Sequence, residues 1–155
     1  MTGGPEQRLA ELGLVLPEVS PPVAAYVPAV RSGDYVYTSG QLPMVHGELS
    51  VTGKVGAEVE PEQAKELARI CALNALAAVK SVAGDLSRIV RIVKVVGFVA
   101  SAPNFTGQPQ VVNGASELLG DVLGDAGRHA RSAVGVAALP LDAPVEVELI
   151  AEVRA

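Results

Sequence analysis

The chain has 155 residues, one domain's worth at the usual ~100–200 residues per domain. Hydrophobic residues make up 49% and charged residues 19%, with mean hydropathy +0.35, which excludes a disordered tail; a membrane span of about 20 apolar residues is also excluded, because Ile70–Val79 and Ile89–Ala100 are broken by Asn74 and by Arg91 and Lys94. The net charge of −5 comes without basic residues interleaved with aromatics, so neither nucleic acid nor a membrane is an expected partner.

Glu6 to Leu12 reads as a short amphipathic helix stopped by Gly13, and residues 1–16 are expected to form an accessory N-terminal helix and linker ahead of a single domain, 17–155. The stretch Pro17-Glu18-Val19-Ser20-Pro21-Pro22 cannot continue a helix. Two strand-like runs follow, Ala25–Val30 and Tyr35–Gly40, joined by the turn residues Arg31-Ser32-Gly33-Asp34. Pro28 places the first run at an edge or a bulge. Residues 43–56 read as an extended loop.

Pro61, with Glu60, Glu62 and Glu66 around it, suits the first turn of a helix that runs to Ala83 and stops at Gly84. Its stretch Leu67–Val79 is apolar nearly all round and is expected to be buried on more than one side. Beyond Asp85 the pattern is ambiguous, because Arg88, Arg91 and Lys94 recur every three residues as on a helix face. The Ile, Val and Phe content of Ile89–Val99 favours a strand. A second helix starts near Pro109, with Val112, Ala115, Leu119 and Val122 at helical spacing, and ends in the Gly-rich run 120–127. Two strands close the chain, Arg131–Ala138 and Val145–Val153. The order β-β-α-β-α-β-β predicts an α+β fold: one mixed sheet with two main helices on one face.

The single Cys71 cannot form an internal disulfide, and the start Met1–Glu6 lacks the basic and apolar regions of a signal peptide; the protein reads as cytoplasmic. His46 and His129 stand far apart with no ligand-spaced cluster, so no metal is expected. Phosphate loops, dinucleotide fingerprints, Gly-x-Ser-x-Gly elbows and His-Glu-x-x-His are missing, and no cofactor is expected. Cys71 reads as a small buried hydrophobe.

What remains is a set of polar residues at strand edges: Tyr26, Ser39, Gly40, Asn113, Arg131 and Glu146, with His129 as a proton-transfer group or a plain loop residue. Period-2 alternation places Arg131, Ala133, Gly135 and Ala137 on one face. A guanidinium flanked by small side chains leaves room for a carboxylate, which it binds through two parallel hydrogen bonds; the alternative is an arginine paired with a neighbouring strand's carboxylate. If the last two strands form a hairpin centred on Leu141-Asp142, Arg131 lies opposite Glu152, and Glu146 opposite Ala137, all on one face. Six positions then separate Arg131 from Glu146, about 20 Å. Either Glu146, Glu148 and Glu152 form a solvated face, or Glu146 serves a site completed by a second chain. Because a small domain has too much surface to hide so many Val, Ala and Leu, self-association keeps the second reading open.

Tyr26-Val27-Pro28-Ala29-Val30, Thr38-Ser39-Gly40-Gln41-Leu42-Pro43, Val112-Asn113, Ala130-Arg131-Ser132, Leu139-Pro140 and Val145-Glu146-Val147-Glu148, in this order and spacing, resemble the YjgF/Rid family, the reactive intermediate deaminases once labelled L-PSP endoribonucleases. The resemblance runs from about Pro22 to Val153. It implies a chorismate mutase-like trimeric fold with ligand clefts between subunits. It also implies hydrolysis of 2-imino or 2-amino acrylate-type acids to 2-keto acids and ammonia, without metal or cofactor. On this resemblance Arg131 holds the substrate carboxylate, Glu146 positions or activates water, and Tyr26, Ser39, Gly40 and Asn113 match pocket positions. The chain departs from the family pattern at four places. Ala133 stands where deaminases often have Cys, His129 where Pro is usual, Ser116 where an aromatic follows the Asn, and Ala24-Ala25 where Gly-Pro precedes the Tyr. These, with the N-terminal helix and longer middle loop, resemble a branch marked by His-Ala-Arg-Ser. The alternative from another class is a non-catalytic trimer that uses Arg131 to hold a small organic acid; the acidic balance argues against a ribonuclease.

Overall fold

The computed structural model describes residues 3–19 and 25–155. Of the expected linker Pro17–Pro22, positions 20–22 lie outside the described residues, as does Ala24. Eight main elements follow one another: α1 (Pro5–Glu11), β1 (Ala29–Ser32), β2 (Tyr35–Thr38), α2 (Pro61–Ala83), β3 (Ile89–Ala100), α3 (Gln108–Leu123), β4 (Ala130–Val136) and β5 (Val145–Val153). The five strands form one mixed sheet in the order β1-β2-β5-β3-β4. Both long helices pack on one face of it, as expected, and among the described residues no helix covers the other face. No helix among them is long and apolar enough to cross a membrane.

β1 begins at Ala29, not Ala25, because Pro28 has no N–H for the ladder; β1 is an edge strand and pairs with β2 across a two-residue turn at Gly33-Asp34. Pro61 stands in the first turn of α2, and Gly84 caps the helix end with φ +94°, a conformation that favours glycine. Asn74, which interrupts the apolar run of α2, donates to the carbonyls of Leu42 and Met44 at 3.0 Å each. It pins the middle loop to the helix. Leu9 of α1 is buried in the common core, and Arg8 Nη1 donates to the carbonyl of Val122.

The three-residue repeat before Ala100 has a strand explanation. β3 carries one extra residue against β5 between Ile89 and Arg91 and another between Ile92 and Lys94. Each inserted residue stretches the inward spacing from two to three. Ile89, Ile92 and Val95 therefore all face the core, opposite Val153, Ala151 and Leu149.

The expected β4–β5 hairpin does not form. α3 carries the chain from β3 to a parallel neighbour, β4, at the sheet edge, as a strand–helix–strand crossover does. Residues 137–144, turned by Pro140–Asp142, then step over β3 and insert β5 between β2 and β3. Composition explains the exchange of places. Val145, Val147, Leu149, Ala151 and Val153 are all buried, as a central strand requires, whereas β4 is built, apart from Arg131, from Ala, Ser, Gly and Val and is exposed or half-buried throughout. The pairing of Arg131 with Glu152 and of Glu146 with Ala137 is accordingly replaced. Arg131 pairs with Val95, while Glu146 pairs with Phe98.

α3 is seated by two close approaches. A Cβ on Gly97 of β3 would collide with the Val112 side chain, and a Cβ on Gly114 with the backbone carbonyl of Lys65 on α2. Asn113 lies between these two contacts, so they determine the height of its side chain above the sheet.

Candidate functional site

The residues singled out in the sequence fall into two groups, whose charged members, Arg131 and Glu146, lie on opposite faces of the sheet. Arg131 shares the helix-covered face with its cross-strand partner Val95 and with Leu149 beyond it. Glu146 shares the other face with Phe98. Their strands are separated by β3, and their registers differ by three residues along it, which places the two Cα atoms about 14 Å apart by strand spacing and rise. This replaces both the ~20 Å separation and the shared face of the hairpin reading.

The first group is built on β4 and α3. Arg131 Nη1 donates to Asn113 Oδ1 at 2.7 Å and to Ser116 Oγ at 3.3 Å. Asn113 and Ser116 lie three residues apart, so they occupy one side of the helix. His129 completes the cluster: its Nε2 lies 2.8 Å from Ser116 Oγ and its Nδ1 lies 2.6 Å from the carbonyl of Gly127. Arg131 is half-buried and is not paired with a carboxylate among the described residues, contrary to the ion-pair alternative.

The second group gathers at the end of β2. From the Tyr37–Ile150 pair to the Gln41–Val147 pair the chain uses four steps on one side and three on the other. Ser39-Gly40 is thus a bulge, which bends the backbone toward Glu146. A Cβ on Gly40 would collide with the Glu146 carboxylate. Ser39 Oγ donates to the carbonyl of Val27 at 2.6 Å, and Ser39 N–H to that of Pro28 at 2.8 Å; these bonds hold the exposed Tyr26 segment beside the bulge. Tyr26, Ser39, Gly40, His46 and Asn74 line a groove of ≈ 1090 Å³ between α2 and residues 15–19, and neither Glu146 nor Arg131 is among its lining residues.

Burial raises the pKa of Glu146 above the ordinary carboxyl value, and the charge of Glu148 on the same face adds to the shift. Cys71 is fully buried on α2 and its thiol pKa is pushed up by burial, with the Glu146 charge contributing. It packs as the small hydrophobe expected. Among the described residues no group of three or more His, Cys, Asp or Glu side chains is placed to hold a metal ion.

The sequence pattern of the YjgF/chorismate mutase-like endoribonuclease family matches residues 6–153. The chain belongs to this family. Among solved structures, Atu1372 of Agrobacterium tumefaciens, described as having unknown function, is 51% identical over 97% of this chain and 92% of its own, with a TM-score of 0.90. Protein TCP17 of Trypanosoma cruzi is 42% identical over 148 residues, 95% of this chain and 92% of its own. TdcF of E. coli, solved with bound serine, is 26% identical, covers 89% of this chain and 94% of its own, and superposes with a TM-score of 0.64.

Within this YjgF-family chain, Ser116 is the residue that reasoning from the sequence passed over as a binding group. The signal was present: Ser116 and His129 are two of the four departures from the family pattern, and they are hydrogen-bonded to one another. Sequence distance, 13 positions across a helix end, hid the contact.

Proposed function

We propose that the protein hydrolyses small carboxylated imines or enamines to 2-keto acids and ammonia, in clefts between the subunits of a homotrimer. The observation that carries this reading is the Arg131 guanidinium, tied at Nη1 to Asn113 and flanked along β4 by Ala133 and Gly135. A planar cation with a free edge and small neighbours suits a planar carboxylate. The bound serine of TdcF is likewise a small carboxylate with nitrogen on the adjacent carbon, held by a relative of the same fold.

In the proposed reaction Arg131 holds the acid group and water adds to the imine carbon. The new C–O bond forms as the C=N bond becomes single, and the nitrogen takes a proton. Collapse of this carbinolamine expels ammonia and leaves the keto acid. Glu146 takes a proton from the attacking water and passes it to the nitrogen, then on collapse takes the hydroxyl proton of the carbinolamine and delivers it to the departing nitrogen, so both water protons leave on ammonia; a carboxyl whose pKa burial has raised suits this role.

Because Arg131 and Glu146 occupy opposite faces, one chain cannot apply both to one small substrate. A second chain can supply the missing half. The uncovered sheet face supports this: Val30, Tyr35, Tyr37 and Val134 stand on it and are 53%, 41%, 44% and 44% exposed, beside the half-buried Val96, Phe98 and Ile150. These apolar side chains surround the charged row of Glu146, Glu148 and Glu152 with Arg91 and Lys94, the mixture of exposed aromatic and aliphatic groups with charges that an interface between subunits carries.

The test generates 2-iminobutyrate and 2-iminopropionate in situ and follows their trapping by semicarbazide. Pure protein is expected to suppress semicarbazone formation by consuming the imine. No effect on several imino acids, together with retained binding of a carboxylate, would favour the non-catalytic acid-binding trimer.

A further inference from the structure

We infer that Ser116 and His129 are positioning residues for a carboxylate site at Arg131, holding its guanidinium so that the Nε–Nη2 edge is presented to the ligand. The inference rests on the carboxylate reading of Arg131 given above and adds to it which edge binds and what orients it.

With the His129 ring neutral, the direction of every hydrogen bond in the cluster follows from the groups involved. The Gly127 carbonyl can only accept, so His129 Nδ1 carries a hydrogen. In a neutral imidazole Nε2 is then an acceptor, and the Ser116 hydroxyl donates to it at 2.8 Å. With its hydrogen committed, Ser116 Oγ is free to accept from Arg131 Nη1 at 3.3 Å. Asn113 Oδ1 takes the other Nη1 hydrogen at 2.7 Å. The chain thus runs one way, from Arg131 through Ser116 and His129 to the Gly127 carbonyl.

That carbonyl is itself fixed. Gly127 is buried at the end of the turn Gly124–Gly127, where a Cβ would collide with the backbone carbonyl of Leu119 on α3. His129 and Ser116 are therefore both referenced to the same helix that carries Asn113. A guanidinium has five N–H donors, two of them on Nη1. Both are consumed by the protein, and Nε and Nη2 make no hydrogen bond among the described residues. These are the two parallel donors of the side-on fork that accepts a carboxylate.

The experiment measures binding of 2-oxobutyrate, the product of 2-iminobutyrate hydrolysis, by calorimetry to the full-length protein and its variants. Arg131→Ala is expected to abolish binding. Ser116→Ala and His129→Phe are each expected to weaken it roughly 5- to 10-fold, the range of one net hydrogen bond, and Ser116→Thr, which keeps the hydroxyl, to restore most of the affinity. In the imine assay KM rises by the same factor with kcat unchanged, because the arginine binds ground and transition states alike. Independently of any variant, the nitrogen-15 spectrum of the His129 ring in the wild-type protein is expected to show the Nδ1–H tautomer. Full affinity in both Ser116→Ala and His129→Phe with none in Arg131→Ala, or an Nε2–H tautomer, overturns the positioning role alone. A wild-type protein that does not bind 2-oxobutyrate, or an Arg131→Ala variant that binds it equally, overturns the carboxylate reading and this inference with it.

Discussion

Arg131 and Glu146 stand on opposite faces of one sheet, with β3 between their strands. If the active cleft lies between chains, each cleft takes Arg131 from one subunit and Glu146 from the next. Two inactive variants, Arg131→Ala and Glu146→Gln, should then complement each other. After co-refolding at equal concentration, roughly one quarter of the clefts in a randomly mixed cyclic trimer receive both intact residues. Imine hydrolysis should recover to about that fraction of wild type. No recovery, with mixed oligomers demonstrated, would mean that both groups act from the same chain or that one of them does not act.

The raised pKa of Glu146 makes a signed prediction for activity. As a general base it must be ionised, so the acid limb of kcat should fall at a pH above the ordinary value of 4.5. Glu146→Gln should lower kcat by ~10²–10⁴-fold, the usual worth of a positioned acid or base, with KM little changed. An acid limb that persists in the variant would assign the titration to another group.

The same shift acts on stability. Between 4.5 and the raised pKa the folded chain binds more protons than the unfolded chain, so unfolding free energy falls as pH rises through that window and stays lower above it. Glu146→Gln, which cannot ionise, should therefore gain urea resistance relative to wild type at neutral pH and lose that advantage below pH 4.5. A difference in midpoint that is constant across this range would contradict the burial of the carboxylate.

Gly114→Ala tests the seating of α3. The added methyl meets the Lys65 carbonyl, backbone that cannot swing aside as a side chain would. The expected cost is about 1–3 kcal/mol, typical of overpacking, read as a lower urea midpoint. Because Asn113 is adjacent, 2-oxobutyrate affinity should fall as well. Unchanged stability would show that the two helices are looser than their packing here.

Cys71 is buried, with its thiol pKa raised by burial. It should react with a thiol reagent only at the rate of unfolding, and Cys71→Ala should leave imine turnover unchanged. Rapid labelling of the native protein would require an open path into the core beneath β5.

Local chemistry made much of the fold legible in advance. Pro61 and Gly84 bounded α2, Pro109 and Gly124 bracketed α3, and β-branched content separated β3 from a helix despite its period of three. These are signals carried within a few residues. The period of three left the segment ambiguous because bulges insert residues without any composition of their own; they are visible only against a partner strand.

The sequence by itself determined the elements, the α+β class and the residue types available for chemistry, since helix stops, strand propensity and a guanidinium among small side chains are local properties. Only the tertiary structure decided the neighbours. Inserting β5 between β2 and β3 moved Glu146 to the face opposite Arg131, and seating α3 on Gly97 and Gly114 brought Asn113 and Ser116 to the guanidinium. Strand order is set by which strand buries the most apolar surface on the core. That is a comparison among all five strands at once, and no single segment contains it.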